Sequence, residues 1–361
     1  MRKRIGASSR ADAGNGSIMT VLGPIDADDM GLTLVHEHLI LEGRSYHLRD
    51  RSLTGESPSG LGGKVDLENL GTLHRNPFYL EDNVVLDDVA TMEKEVLAFK
   101  EAGGRTIVDQ TSTRERRSPS KLVRLAQLTG INIVMGCGYH RTPSHPTSLA
   151  DESVEQIAEG FVAEVTDGVE GDGPRAGIIG ELGVSAPMGP GEEKVLMAGA
   201  KAQRETNLAI SIHVHPWGTE TPMGYEVVRI LEREGADLSR VILSHLDQCL
   251  NVEYHEDMLR TGVNIAYDHF GKEFHRDATH IQMPTDLQRL EALAELIGRG
   301  YVDQLLISHD VCFKMHLRQY GRWGYTHILE HIVPLAQEVV GISERETETL
   351  LVDNPKRVLA G

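Results

Sequence analysis

The sequence predicts an α/β fold, a (β/α)8 or TIM barrel that forms one large domain. Apolar, β-branched runs recur eight times along the 361 residues, each followed by polar or glycine-rich residues. Several runs are apolar on consecutive residues, as expected for parallel strands that are buried on both faces. Segments with helical spacing separate the runs, and this alternation is typical of βαβ units around a parallel sheet.

The eight runs are the predicted strands, taken in chain order. They are Leu32–Val35, Thr106–Asp109, Ile131–Gly136, Ala176–Gly180, Ala209–His213, Arg240–Ser244, Val263–Tyr267 and Gln304–Ser308. The alternative fold is an open doubly wound sheet, but no G-x-G-x-x-G turn follows an early strand. Eight units in a chain of this length favour the closed barrel.

Apolar residues at helical spacing predict the connecting helices. In the first connection, Val89, Met92, Val96 and Leu97 form one apolar stripe. The other predicted helices are Ser153–Val165, Glu193–Glu205, Tyr225–Glu234, Asp286–Gly298 and Ile328–Val340. Glycines stand where several of them should end.

Two stretches depart from this alternation. Residues 1–17 lack the apolar core of a signal peptide, which predicts a flexible N-terminal extension before a single barrel over residues 18–361. Residues 44–82 have little periodicity, and we interpret them as a loop insertion over the barrel mouth.

The composition of the chain excludes some classes of binding partner. The formal net charge of −18 argues against a nucleic acid or an anionic membrane as partner. No apolar run approaches the roughly 20 residues that span a bilayer. Three widely spaced cysteines suit reduced thiols, so the sequence predicts a cytoplasmic protein that acts on a small molecule.

Polar side chains follow six of the predicted strands, at the end where barrels of this kind carry their active sites. The imidazoles of residues 36 and 38 project to the same side of an extended strand. Four imidazoles and two carboxylates suit two ions of zinc, manganese, cobalt or iron about 3.5–4 Å apart, bridged by a carboxylate and a hydroxide. The candidate ligands are His36, His38, Glu181, His213, His245 and Asp310.

The chain resembles the phosphotriesterase family of the amidohydrolase superfamily, and within it the phosphotriesterase-related, resiniferatoxin-binding-like branch. The resemblance runs from about Thr20 to the C-terminus and keeps the order and spacing of the motifs. The matching stretches are Gly31–His38, Gly104–Asp109, Arg175–Gly183, Ser211–His213, Val241–His245, Leu306–Asp310 and Asp353–Pro355.

The resemblance implies an amidohydrolase-type barrel with a binuclear centre, most commonly of zinc. By that resemblance, His36, His38 and Asp310 hold the more buried ion, and His213 and His245 hold the more exposed one. His215 competes with His213 through the same spacing of two residues, but the family spacing favours His213. Family members are commonly dimers, so a homodimer is possible.

The bridge between the metals is where this chain departs from the phosphotriesterases proper, which use a carboxylated lysine. Gly180 stands at that point and Glu181 follows it, as in the phosphotriesterase-related branch. The glutamate is the shorter side chain, so the backbone must shift or bulge to deliver it. The resemblance therefore assigns the bridge to Glu181.

The implied reaction is attack by a metal-bridging hydroxide. Asp310 is its general base and His269 relays the proton outward, to either Asp247 or Gln248. Asp109 is expected to orient a ligand histidine, and His309 to point away from the site.

The loops beyond the strands supply the candidate substrate contacts. These are Tyr139, His140, Arg141, Trp217, Lys272 and Lys314. Cations above an acidic protein suit an anionic substrate, although loop cations also simply solvate a surface.

Three functions remain open. The first is hydrolysis of lactones or other carboxylic esters. The second is hydrolysis of an amide or phosphoester on the same centre. The third is ligand binding without turnover, which a set of six metal ligands disfavours.

Overall fold

The predicted barrel is confirmed. The computed structural model describes residues 16–45, 63–112, 117–171, 173–214, 222–277 and 281–361. Across these residues, eight parallel strands form one sheet in chain order. They are β1 (Thr33–Glu37), β2 (Thr106–Asp109), β3 (Asn132–Cys137), β4 (Ile178–Val184), β5 (Ile210–Val214), β6 (Val241–Ser244), β7 (Asn264–Tyr267) and β8 (Leu305–Ile307).

The first and last strands meet at their C-terminal ends. The amide of Asp310 donates to the carbonyl of His36 at 3.1 Å, and the amide of His36 donates to Ser308 Oγ at 3.1 Å. Glu37 adds to this junction, because its carboxylate accepts the amides of His309 and Val311 at 2.9 Å. The carboxyl ends of the strands therefore surround one common mouth.

Helices cover the outside of the sheet. They are α1 (Val89–Glu101), α2 (Pro119–Thr129), α3 (Val154–Thr166), α4 (Pro190–Thr206), α5 (Met223–Arg233), α6 (Val252–Arg260) and α7 (Asp286–Gly298). After β8, π-helical turns at Ile328–Ile332, Ala336–Val340 and Thr349–Asp353 alternate with helices Val333–Leu335, Glu344–Glu348 and Asn354–Leu359.

Side-chain caps fix where several helices begin. Ser153 and Gln156 form a capping box at α3, and Thr285 and Gln288 form another at α7. Sequence reasoning did not assign α2 and α6. The signal was present at α6, where the side chain of Asn251 caps the first turn.

The barrel interior is filled at the N-terminal end of the strands. One cluster takes a buried apolar residue from each strand or its first neighbour, which places the cluster inside the barrel: Val35, Val108, Val134, Ile178, Ala209, Ile242, Ala266 and Leu306. Ile18 of the antiparallel hairpin Ser17–Asp26 and Leu359 join this cluster. The site must therefore lie at the opposite, C-terminal end.

The described part of the predicted insertion packs over the segment that follows β8. Leu73 and Leu80 share a buried cluster with Phe313 and Met315. The rest of the insertion, residues 46–62, and residues 1–15 of the predicted extension lie outside the described residues. The division at residue 17 stays a prediction.

In the part of the chain that the structure describes, every helix is too short or too polar to cross a lipid bilayer. The cytoplasmic location and the homodimer stay predictions.

The observed strand β4 differs from the strand predicted there because it contains a bulge. The pairing register with β5 shifts between Ile179 and Leu182, and β4 then continues to Val184 instead of ending at Gly180. Gly180 has a φ of 140°, and a Cβ there would come within 2.5 Å of the carbonyl oxygen of Ser211. β4 therefore has a bulge at the point where a backbone shift is expected from the sequence, while the bridging role of Glu181 stays a prediction.

We expect Gly136→Ala to destabilise the fold by about 1–3 kcal/mol, because its Cβ would lie 2.0 Å from the carbonyl oxygen of Gly180. Gly160→Ala in α3 is the matched control: no atom lies within 4 Å of its Cβ, and alanine favours the helix by about 0.5–1 kcal/mol. Urea unfolding measures both. Equal effects of the two variants would show that the bulge does not depend on this close approach.

Candidate metal centre

The mouth of the barrel brings together the ionisable residues predicted from the strand ends. Among the described residues, four groups of histidines and carboxylates have ligand atoms within 4.8 Å of one another. The groups share His36, Glu181 and His245, so they form one continuous site. They are His36–His38–Asp310, His36–Glu181–His245, His140–Glu181–His213 and His245–Asp268–His269.

Glu181 lies at the middle of this site. Its Oε1 is 2.8 Å from His213 Nδ1, 2.8 Å from His245 Nε2 and 3.5 Å from His36 Nε2. Its Oε2 is 3.4 Å from His140 Nε2. Burial alone would raise the pKa of this carboxyl, but the surrounding histidines hold it well below its usual range. Glu181 is therefore an ionised carboxylate in the barrel mouth.

His38 and Asp310 form the inner end of the site. His38 Nε2 lies 3.1 Å from Asp310 Oδ1, and its Nδ1 lies 2.8 Å from Thr111 Oγ1. Asp109, expected to orient a ligand histidine, instead accepts the amides of Leu39 and Thr111 at 2.7 and 3.0 Å. It fixes the backbone beyond His38, while Thr111 orients the ring.

Asp268 is a member of the site that sequence reasoning did not select. Its carboxylate lies 2.9 Å from His245 Nδ1 and 3.1 Å from His36 Nδ1. Burial opposes its ionisation, but these two histidines lower its pKa below the usual value. The signal was its place directly after a strand and beside His269.

Two residues of the site have left-handed backbone conformations. The φ angles of His245 and Asp310 are 70° and 50°, a region that residues other than glycine rarely occupy. Strained conformations of this kind cluster at functional sites.

The site has the donor set and the charge that a metal requires. Nε2 of His36 is buried and forms no hydrogen bond with the described residues, although it lies 3.9 Å from Asp310 Oδ1. Burial works to lower the pKa of His36, but the carboxylates of Asp268 and Glu181 raise it. An imidazole nitrogen without a hydrogen bond, beside buried carboxylates, is a donor set of the kind that binds divalent cations.

A chain of polar contacts leads away from Asp310. Its Oδ2 lies 3.4 Å from His269 Nε2, and His269 Nδ1 lies 3.0 Å from Asp247 Oδ1. Asp247 also accepts from the amide of His269 at 3.0 Å and from Arg289 Nε at 2.9 Å. Gln248 lies beside His269 Nε2 at 3.3 Å, so Asp247 is the residue that continues the chain.

The predicted substrate residues have different surroundings. Lys272 forms an ion pair with Asp310. Lys314 pairs with Asp82 of the insertion at 2.6 Å, and the ring of Tyr139 packs on Phe161 of α3. The backbone of Arg141 packs against Gly183. His140 belongs to the group around Glu181, and Trp217 and His215 lie outside the described residues.

His309 points away from the site, as expected. Its Nδ1 lies 2.7 Å from Glu37 Oε1, and its Nε2 accepts the amide of Ile328 at 3.0 Å.

The sequence profile of the Phosphotriesterase family matches residues 16–359. The chain belongs to the phosphotriesterase family. It is accordingly a hydrolase, which confirms the enzyme class predicted from the sequence.

This phosphotriesterase-family chain is similar to several named proteins. An N-acetyltaurine hydrolase from Danio rerio is 36% identical over 350 residues, which cover 95% of this chain and 98% of the relative. A resiniferatoxin-binding protein from Rhodobacter sphaeroides has a TM-score of 0.88 at 35% identity, with 95% of each chain covered. A mutant PTE-like lactonase from Deinococcus radiodurans has a TM-score of 0.74 at 27% identity, covering 95% of this chain and 99% of the lactonase.

We expect Arg289→Met to lower the free energy of unfolding by about 3–5 kcal/mol, because Asp247 would be left buried without its cation. Adding Asp247→Asn should recover part of the loss. Exposed Arg229→Gln in α5 is the control and should leave the unfolding midpoint unchanged. A loss below about 1 kcal/mol for Arg289→Met would contradict the account.

Proposed function

We propose that this chain is a binuclear metal-dependent hydrolase that cleaves the amide bond of a small anionic N-acyl amine. The observation that carries the proposal is the position of Glu181, an ionised carboxylate among His36, His213 and His245. Similarity to N-acetyltaurine hydrolase over 95% of the chain favours an amide over the lactone or ester expected from the sequence.

We assign the proposed metal ligands to two ions. His36, His38 and Asp310 would hold one ion, and His213 and His245 would hold the other, with Glu181 between them. Zinc suits this set best, although manganese, cobalt or iron would also fit it. When bound, the ions supply Lewis acidity, which activates water and polarises the acyl oxygen of the substrate.

The proposed proton path uses Asp310 and the residues behind it. Burial opposes ionisation of Asp310, but Lys272 and the neighbouring histidines hold its pKa well below its usual range. The carboxylate is therefore ionised, and its Oδ2, which faces both Lys272 Nζ and His269 Nε2, is the atom that would accept the proton. Asp247 would stabilise the charge that reaches His269, and Arg289 holds Asp247 in place.

Lactone or ester hydrolysis is the second candidate. The Deinococcus radiodurans PTE-like lactonase, at 27% identity, favours it, and the same side chains would serve either bond. The similarity to a resiniferatoxin-binding protein supports a third candidate function, which is ligand binding without turnover.

Turnover by the metal-loaded enzyme separates these candidates. We expect the metal-loaded enzyme to hydrolyse N-acetyltaurine. A chelator should abolish this activity, and adding the metal back should restore it. Loss of a residue that only orients a metal ligand typically reduces activity about 10–100-fold. Glu181→Gln and His213→Ala remove proposed ligands themselves, so each should reduce kcat/KM by more than that. Arg229→Gln, on the exposed surface of α5, is the control. Turnover of lactones alone would favour the second candidate, and binding of unaltered N-acetyltaurine without products would favour the third.

Thr111→Val should weaken metal binding about 10–100-fold, because the hydroxyl that orients His38 through Nδ1 is removed at constant shape. Competition with a chelator measures the affinity. Thr166→Val, on the exposed end of α3, should leave it unchanged. Equal affinities for wild type and Thr111→Val would show that His38 needs no such orientation.

A further inference from the structure

A cavity that opens to solvent lies between the segments that follow β7 and β8. Its polar lining consists of Lys272, His309, His316, Arg322, Trp323 and His327. This lining carries positive charge in a protein whose net charge is −18.

Arg322 is the cation of this cavity that lacks a carboxylate partner. Its Nη2 lies 2.5 Å from His74 Nδ1, and its guanidinium lies 5.1 Å from the centre of the Trp323 ring. It makes no ion pair within the described part of the chain, and its Nε is buried without a hydrogen bond. Burial lowers the pKa of Arg322, against the pull of the carboxylates of Glu273 and Asp286. A partly buried cation without a counter-ion favours an anion beside it.

His327 provides a second unused polar atom. The residue is 4% exposed, its ring stacks on Trp323 at 4.3 Å, and its Nε2 lies 2.7 Å from Asp286 Oδ2. Nδ1 is buried and has no partner among the described residues. Because Nε2 donates to Asp286, Nδ1 of the neutral ring is an acceptor, which is left for a hydrogen-bond donor of a bound group.

The cavity adjoins the metal centre. Lys272 lines the cavity, and its Nζ forms the ion pair with Asp310. His316, which also lines the cavity, is close enough to both cations that, after burial, Lys272 and Arg322 lower its pKa. A substrate whose acyl group lies at Asp310 could therefore extend a charged end into the cavity.

We propose that this cavity binds the anionic head group of the substrate, with Arg322 as its principal contact and Lys272 beside it. The inference rests on the proposed function and narrows its substrate class. The substrates would be N-acyl amines whose amine portion ends in a sulfonate or carboxylate, a short chain away from the bond that is cleaved. Charge-assisted hydrogen bonds from guanidinium supply the recognition.

Kinetics with a charged and a neutral substrate test the subsite. For N-acetyltaurine, Arg322→Gln should raise KM about 10- to 100-fold, the usual effect of losing a hydrogen bond to a charged group, with kcat nearly unchanged. Arg322→Lys should recover part of the loss. For N-acetylethanolamine, which has the same two-carbon chain but a neutral hydroxyl in place of the sulfonate, Arg322→Gln should leave kcat/KM within about twofold. Arg229→Gln is the control for both substrates.

Equal losses on both substrates would overturn the subsite and make Arg322 structural. An unchanged KM for N-acetyltaurine in Arg322→Gln would overturn the subsite while leaving the proposed function intact.

Binding of ethanesulfonate, followed by titration calorimetry on the metal-loaded protein, needs no turnover. We expect wild type to bind it and Arg322→Gln to bind it at least about tenfold more weakly. If wild type hydrolyses neither substrate, the proposed function fails, and this binding difference still supports the subsite. Absence of ethanesulfonate binding to wild type would overturn the subsite directly.

Discussion

Glu181 reaches the barrel mouth through a bulge that depends on Gly180, and its carboxylate then lies among the imidazoles of His36, His213 and His245. The rest of the site is arranged around that buried charge. A carboxylate removed from water needs compensation from charge and hydrogen bonds. The neighbouring histidines supply part of it, and the unused Nε2 of His36 marks where divalent cations would supply the remainder.

Around Glu181, carboxylates and cationic or imidazole groups alternate. Asp268 faces His36 and His245, Asp247 faces His269, and Arg289 faces Asp247. Arg289 also donates to Asp286 at 3.3 Å, which connects the metal centre to His327 and the neighbouring cavity. The same ion pairs that hold the proton path therefore also fix the wall that we assign to the substrate's charged group.

Much of this arrangement could be predicted from the sequence, because parallel strands leave a simple pattern. Apolar runs followed by His36, Glu181, His213, His245 and Asp310 locate the strands and the mouth together. The need for a bulge at Gly180 followed from the resemblance to the phosphotriesterases, because glutamate is shorter than the carboxylated lysine that they carry there. Contacts between loops were harder, since they depend on three-dimensional packing: neither the pairing of Lys272 with Asp310 nor the role of Thr111 beside His38 has a local signature. Asp268 was overlooked because an acidic residue after a strand serves many purposes.

Metal content measured by plasma mass spectrometry tests the central claim most directly. After loading with zinc and removal of excess metal, wild type should hold about two ions per chain. Glu181→Gln should hold about one or fewer, while Glu192→Gln, at a buried carboxylate that caps α4 outside the centre, should match wild type. Fewer than one ion in wild type, or the same content in Glu181→Gln as in wild type, would contradict the account.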